Sequence, residues 1–234
     1  MNNKNLFKIL SIDFDFFANV TQNELMYYPD GVDLPTELTE LVWALHYATD
    51  GNTLKSIDID KDLYRELTYI INSQSISTPV LITNSHIHAF DFIEQHFDNK
   101  RIMLTNIDWH HDIINNNPEM DCGNWIKFLK EKYPDTILQW ITRKASIDCY
   151  GLTDEEIKQM FIEFDFSSIE HTQFDAIFLC RSDSWTPPHL DKYFDDLIKN
   201  CFSAFFDAKI EKCVMQPRDA DKIKNMITDV QNIS

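Results

Sequence analysis

The sequence is short of glycine and of basic residues. Its 234 residues include only four glycines, and no two of them lie close together. Both common glycine-rich phosphate loops are therefore excluded, because they need several backbone positions without a Cβ atom. The 21 lysines and arginines face 38 aspartates and glutamates, which gives a formal charge of −17. A surface this negative repels phosphate backbones, so we expect no nucleic-acid partner; cationic partners and divalent metals suit it better.

Paired cysteines and long apolar segments are also missing. The five cysteines are an odd number and form no CxxC pair, which is typical of reduced thiols in a cytoplasmic protein. No run of about 18 apolar residues occurs, and Asp13 and Asp15 interrupt the apolar residues near the N-terminus. The sequence therefore predicts a cytoplasmic protein with neither a secretion signal nor a membrane span.

Short apolar runs alternate with helical patterns along the chain. Five runs predict strands, over residues 7–12, 79–83, 101–107, 136–142 and 175–180. Six stretches predict helices, over residues 35–50, 60–73, 89–97, 125–132, 153–161 and 190–205. No repeat or linker divides the chain, so we expect residues 1–234 to form one α/β domain. Its mostly parallel sheet should carry helices on both faces, with ligands beyond the carboxyl ends of the strands.

Three side chains suited to metal binding follow the third predicted strand at alternate positions. Asp108, His110 and Asp112 come directly after residues 101–107. In an extended segment these positions share one face, so their side chains can converge just beyond the strand. Two carboxylates and an imidazole form a good site for a hard or borderline divalent metal. The alternative is a polar loop whose aspartates cap the next element.

Two further strand ends carry the same residue types. Asp13 and Asp15 share a face of the N-terminal strand among three phenylalanines. Two carboxylates in so apolar a setting repel each other and lose hydration unless a cation binds them; the alternative is an exposed edge strand. His86 and His88 follow residues 79–83 and share a face if that segment is extended. They are candidate ligands, with structural histidines as the alternative.

Together these residues resemble the arginase/deacetylase superfamily of binuclear-metal hydrolases. Residues 108–112, DWHHD, look like its D-x-H-x-D motif, and residues 11–15, SIDFD, look like its S-x-D-x-D motif. Ser85 and His86 resemble the D-H of its G-G-D-H motif, although the glycines are absent. Residues 181–188, RSDSWTPP, favour the small divergent relatives that include the peptide arginases. The two aspartate motifs occur in the reverse of the arginase order, so we expect the catalytic strands to be permuted.

The resemblance implies an arginase-like three-layer sandwich and a centre with two divalent ions, for which the oxygen-rich ligation favours Mn²⁺. The expected metal ligands are Asp13, Asp15, His86, Asp108, His110 and Asp112. Asn124, in the segment CGN at 122–124, is similar to an arginase asparagine that contacts substrate. His88 and His111 are candidates for a proton shuttle, because the arginase histidine after this segment has no counterpart here. Asp183 is either the anion that orients a guanidinium or a turn residue.

The function that the resemblance implies is hydrolysis of peptidyl arginine to ornithine and urea, on a ribosomally made precursor peptide. The charge of −17 would favour encounter with such an arginine-containing partner. The alternatives with the same metal site are a small-molecule ureohydrolase and a deacetylase-type amidohydrolase, although the second carboxylate pair speaks against the deacetylases. A non-catalytic protein whose carboxylates bind calcium or cap loops is the third hypothesis.

Overall fold

A parallel β-sheet forms the centre of the protein. The computed structural model describes residues 6–20, 33–97, 101–113, 117–150, 152–158, 160–210 and 218–233. Within these residues the sheet has seven strands, all paired in parallel, in the spatial order β5-β4-β3-β1-β6-β2-β7. The strands are β1 (Leu6–Asp13), β2 (Val80–Thr83), β3 (Arg101–Ile107), β4 (Ile137–Ile141), β5 (Phe161–Glu163), β6 (Ala176–Cys180) and β7 (Ala208–Ile210).

The described part also contains eight α-helices. They are α1 (Thr36–Ser56), α2 (Lys61–Asn72), α3 (His88–His96), α4 (Trp125–Lys132), α5 (Lys144–Tyr150), α6 (Asp154–Ile157), α7 (Asp191–Leu197) and α8 (Ala220–Ile233). Local chemistry fixes several of their ends. Asp60 starts α2 by accepting the N–H groups of Asp62 and Leu63, and Thr153 starts α6 in a capping box with Glu156.

Alternate residues of the strands enter two separate apolar cores. In β6, Ile177 and Leu179 point into one core, while Phe178 points into the other. Buried residues of α1, α2 and α7 line the first core, and those of α3 and α4 line the second. Helices therefore cover both faces of the sheet, which confirms the predicted α/β fold with three layers. Burial on both faces also explains why the strands have nearly continuous apolar sequences.

The connections leave β1 and β3 in opposite directions. From β1 the chain continues to β2, which lies toward one edge of the sheet. From β3 it continues to the neighbouring β4, which lies toward the opposite edge. Two adjacent parallel strands with diverging connections form a topological switch point, where a crevice opens beyond their carboxyl ends. The crevice between β1 and β3 is thus where ligands are expected to bind.

The structure corrects some predicted element boundaries. All five predicted strands are present, with ends that agree within one residue. Residues 153–161 do not form one helix, because α6 ends at Ile157 and Phe161 already belongs to β5. The predicted helix over 190–205 is α7 followed by a π-helical turn, Ile198–Phe202. Four elements, β5, β7, α5 and α8, were not predicted from the sequence. The two strands have only three residues each, which is too few to show an alternating pattern.

The structure also bears on the predictions about membrane spans and cysteines. None of the described helices has the length and apolarity that a membrane crossing requires. Four described cysteines, Cys122, Cys149, Cys180 and Cys201, are free thiols, and Cys213 lies outside the described residues. The cytoplasmic location stays a prediction.

Candidate metal centre

A tight turn, and not an extended strand, brings Asp13 and Asp15 together. β1 ends at Asp13, and a 3-10 helix, Phe14–Phe17, follows at once. The Asp13 carboxylate accepts the backbone N–H of Asp15 at 3.2 Å and so caps this turn. The expectation that both aspartates share one face of an extended segment is therefore wrong. They approach each other because the chain turns at the carboxyl end of the sheet.

The segment after β3 is also bent. Oδ1 of Asp108 accepts the backbone N–H of His110 at 2.7 Å, and Asp112 adopts a left-handed conformation with φ of 53°. An aspartate tolerates that conformation better than most residues. His86 lies in a turn, whereas His88 is the first residue of α3. The extended geometry predicted for these two segments is therefore wrong as well.

Despite these local differences, the structure gathers the six predicted ligands at the crevice between β1 and β3. Asp13, His86 and Asp108 form a first group, here named the inner cluster, whose donor atoms all lie within 4.8 Å of one another. Nδ1 of His86 is 3.3 Å from Asp13 Oδ2 and 3.2 Å from Asp108 Oδ2. It is also 3.1 Å from Oδ2 of Asp112, which completes this side of the site.

A second group of donors lies beside the first. Asp15, Asp108 and His110, here named the outer cluster, also have donor atoms within 4.8 Å of one another. Nδ1 of His110 is 3.1 Å from Asp15 Oδ2 and 3.6 Å from Asp108 Oδ1. Asp108 therefore belongs to both clusters. The side chain of His110 is 25% exposed, whereas the other five side chains are buried, so the outer cluster faces the opening of the site.

Burial and mutual repulsion oppose the ionisation of the clustered carboxyl groups and shift their pKa values. Burial, together with the charge of Asp13, raises the pKa of Asp15 to about 8. Burial and the charge of Asp108 likewise raise the pKa of Asp112 to about 7. Burial also opposes ionisation of Asp108, but hydrogen bonds from His110 and His86 outweigh it and lower its pKa. A positive charge at this position would relieve the repulsion.

Asp15 is the most incompletely satisfied of these groups. Both its carboxylate oxygens are buried, and neither accepts a hydrogen bond from any residue that the structure describes. Oδ2 is close to Nδ1 of His110, but the two are not aligned as a hydrogen bond. A buried carboxylate without a donor costs several kcal/mol. A divalent cation would satisfy it, and the donor set therefore fits a metal.

Neutral side chains orient several of the candidate ligands. Ser11 Oγ lies 2.7 Å from Nε2 of His86, in hydrogen-bond geometry. If Nε2 carries the proton and donates to Ser11, then Nδ1 is free to act as the ligand atom that faces the carboxylates. Three other donors hold one carboxylate each: Asn106 holds Asp108 at 3.1 Å, Trp125 holds Asp112 at 2.7 Å, and Ser182 holds Asp13 at 2.9 Å.

The two residues predicted to bind substrate have partners within the chain. The side chain of Asn124 bonds to the loop that precedes it. Its Oδ1 accepts the N–H of Asp121 at 2.8 Å, and its Nδ2 donates to the carbonyl of Glu119 at 2.9 Å. The carboxylate of Asp183 accepts two hydrogen bonds from the buried guanidinium of Arg181, at 2.5 and 2.8 Å. Asp183 does bind a guanidinium, but one that belongs to this chain. Substrate contact by either residue stays a prediction.

The two candidate proton shuttles lie outside both clusters. His111 is buried, and its Nδ1 accepts the N–H of Ile113 at 3.2 Å. Burial lowers its pKa to about 4, so the ring is neutral at neutral pH. His88 begins α3 and is half-buried. A role in proton transfer stays a prediction for both.

Sequence reasoning missed Asp33, whose carboxylate lies near the inner cluster. It accepts a hydrogen bond from the hydroxyl of Ser85, the residue before His86. Burial, and the charge of Asp13, raise the pKa of Asp33 to about 6. Asp33 stands in no motif, so nothing in the sequence could have indicated its position.

Comparisons of the chain with protein-family models, with curated proteins and with solved structures found no match. The motifs and the geometry of the two clusters therefore carry the functional interpretation.

Proposed function

We propose that the protein is a hydrolase with two divalent ions that converts arginine side chains of a peptide to ornithine and urea. The main observation in favour of two metal ions is that Asp108 belongs to both the inner and the outer cluster. A carboxylate between two groups of donors suits two ions held side by side. The substrate part is supported by the resemblance to peptide arginases and by the charge of −17, which attracts cationic peptides.

The donor chemistry favours Mn²⁺ for both positions. Four carboxylates and two imidazoles form an oxygen-rich set, which suits Mn²⁺ better than softer ions. No cysteine belongs to either cluster. Cys122 is nearby, but burial raises the pKa of its thiol, so it is not the thiolate that a structural zinc site needs. When bound, two such ions would supply Lewis-acid activation of a water molecule.

The residues of the chain have separate tasks in this proposal. Asp13, His86 and Asp108 would hold one ion in the buried part of the site, and Asp15 and His110 would complete the other position. His110 is the most exposed ligand, so substrate would approach from its side. The ring of Trp185 lies edge-to-face against His110, with 5.6 Å between the ring centroids. An arginine side chain that enters here would pass this indole, which can contact a guanidinium.

The reaction consumes one water molecule for each arginine. The water oxygen forms a bond to the guanidinium carbon Cζ, and the bond from that carbon to the Nε nitrogen breaks. A proton must reach this leaving nitrogen, which becomes the amine of ornithine, while the carbon leaves as urea. His111 is a poor donor for this proton because its pKa is about 4. His88, half-buried two residues after His86, is the better candidate.

A calcium-binding protein and a deacetylase-type enzyme are both less well supported than a two-ion arginine hydrolase. A Ca²⁺ site takes oxygen ligands, whereas each cluster contains an imidazole nitrogen. A deacetylase-type site needs no second carboxylate pair, yet Asp15 is buried beside Asp108 in the outer cluster. A small-molecule ureohydrolase has the same metal chemistry, and only the substrate distinguishes it from the proposed function.

Metal analysis and mass spectrometry test the proposal together. The protein is purified without chelator, its metal is quantified, and it is incubated with Mn²⁺ and arginine-containing peptides. We expect each converted arginine to lose CH₂N₂ in mass, with one urea released. The same peptide with lysine in place of arginine is the substrate control, and the Asp108→Asn protein is the enzyme control. A fully metal-loaded wild type that converts neither the peptides nor free arginine would refute the proposal.

A further inference from the structure

Ser182 lies in a backbone conformation that serine rarely adopts. Its φ is 58°, in the left-handed region, where the Cβ atom of any residue other than glycine comes too close to the backbone. The side chain is buried, and its hydroxyl donates to Oδ2 of Asp13 at 2.9 Å. Glycine would adopt this conformation without the steric cost, but it would leave Asp13 without this donor.

The chain holds Ser182 in place through both of its neighbours. The N–H of Arg181 donates to the carbonyl of Thr83, and the guanidinium of Arg181 is paired with Asp183. The carbonyl of Asp183 accepts the indole N–H of Trp43 at 2.9 Å. It also accepts an N–H of Arg218, which lies two residues before α8, at 3.1 Å. Backbone strain that so many contacts maintain is typical of functional positions.

Both oxygens of Asp13 are thereby fixed by donors. Oδ1 accepts the N–H of Asp15 at 3.2 Å, and Oδ2 accepts the hydroxyl of Ser182. Oδ2 is at the same time 3.3 Å from Nδ1 of His86, the nitrogen atom of the inner cluster. Loss of the hydroxyl would free the carboxylate to rotate away from the position it needs beside His86.

We propose that Ser182 is a positioning residue of the metal centre: its hydroxyl fixes the orientation of the Asp13 carboxylate, and the Arg181–Asp183 ion pair fixes Ser182. This inference rests on the metal centre of the proposed function, but it does not depend on which substrate is hydrolysed. It also assigns Asp183 a structural task in place of contact with a substrate guanidinium.

Two substitutions separate the hydroxyl from the backbone. Ser182→Gly and Ser182→Ala both remove the hydroxyl, but only glycine suits a φ of 58°. Ser184→Ala is the matched control, because Ser184 is a buried serine of the same loop whose hydroxyl accepts the N–H of Leu34. Metal-free proteins are titrated with Mn²⁺, and the free ion is measured by electron paramagnetic resonance. Thermal unfolding of the same metal-free proteins reports their stability.

We expect both Ser182 variants to bind Mn²⁺ about 10–100-fold more weakly than the wild type, as is usual for loss of an outer hydrogen bond to a ligand. Metal-free Ser182→Gly should unfold nearer the wild-type temperature than Ser182→Ala does, because only glycine relieves the backbone strain at a φ of 58°, and Ser184→Ala should bind Mn²⁺ as the wild type does. Ser182→Gly that binds Mn²⁺ as tightly as the wild type would overturn the inference, even if Ser182→Ala binds weakly. A wild type that binds no Mn²⁺ refutes the metal centre itself. One that binds Mn²⁺ but converts no arginine refutes only the hydrolase.

Discussion

Replacing Asp15 with asparagine should stabilise the metal-free protein and weaken the metal-loaded one. The carboxylate is buried, accepts no hydrogen bond within the described part of the chain, and lies near the charge of Asp13. Without metal, ionisation of Asp15 therefore lowers the free energy of unfolding. In the proposed metal-loaded protein, the same carboxylate would be a ligand in the outer cluster. Asparagine keeps the shape of the side chain and removes the charge.

The magnitude follows from the pKa of Asp15, which is raised from 3.8 to about 8 in the folded protein. Below 3.8 the group is neutral in both states and adds no penalty. As the pH rises toward 8, the unfolded chain releases the proton and the folded protein resists doing so, so metal-free stability falls. Four pKa units correspond to about 5 kcal/mol. Burying the asparagine amide costs about 1–3 kcal/mol, which leaves a net gain of about 3 kcal/mol near pH 8.

Urea unfolding of chelator-treated proteins, followed by circular dichroism at about pH 5 and about pH 8, measures this effect. The wild type should lose stability between the two conditions. Asp15→Asn should lose less, and its remaining loss is expected from the raised pKa values of Asp112 and Asp33. Asp148→Asn, at an exposed position of α5, is the matched control and should follow the wild type. With saturating Mn²⁺ the order should reverse, because the variant lacks a ligand. If the metal-free Asp15→Asn protein is less stable than the wild type near pH 8, the buried charge of Asp15 does not destabilise the metal-free fold.

Three further predictions test the site from other directions. Asp108→Asn should lose metal from both positions, because both clusters contain this carboxylate; wild-type metal content by elemental analysis would contradict this. Asp183→Asn should lower the free energy of unfolding by about 2–3 kcal/mol in urea, because it removes the bidentate ion pair of the buried Arg181 and leaves only the longer contact with Asp191 at 3.8 Å. Unchanged stability with a raised KM for the peptide would instead support substrate binding by Asp183. The kcat/KM for an arginine-containing peptide should exceed that for free arginine and fall with added salt, and equal values would favour a small-molecule ureohydrolase.

The central strands could be predicted because they are buried on both faces. Residues 101–107, for example, form an apolar run that matches β3 at both ends. The convergence of the six candidate ligands could also be predicted, since parallel strands place their carboxyl ends at one edge of the sheet. The backbone conformation around these residues could not be predicted. The sequence suggests that Asp13 and Asp15 continue an extended strand, but the Asp13 side chain caps a 3-10 turn that ends it.

Contacts between distant parts of the chain account for most of what the sequence could not show. Ser182 donates to Asp13 across 169 positions, and Trp125 donates to Asp112 from the start of α4. Neither residue belongs to a metal-ligand pattern, because it binds a carboxylate and not an ion. The pairing of Asp183 with Arg181 is local in sequence, but its significance depends on the burial of both side chains, which only the fold determines.

Anomalous diffraction from crystals of the Mn²⁺-loaded protein is the most direct test of the two-ion centre. We expect two manganese peaks in the crevice between β1 and β3, one near Asp13, His86 and Asp108 and the other near Asp15, Asp108 and His110. A single peak would show that Asp108 does not bridge two ions. Peaks elsewhere, or none at saturating Mn²⁺, would contradict the metal centre and the hydrolase built on it.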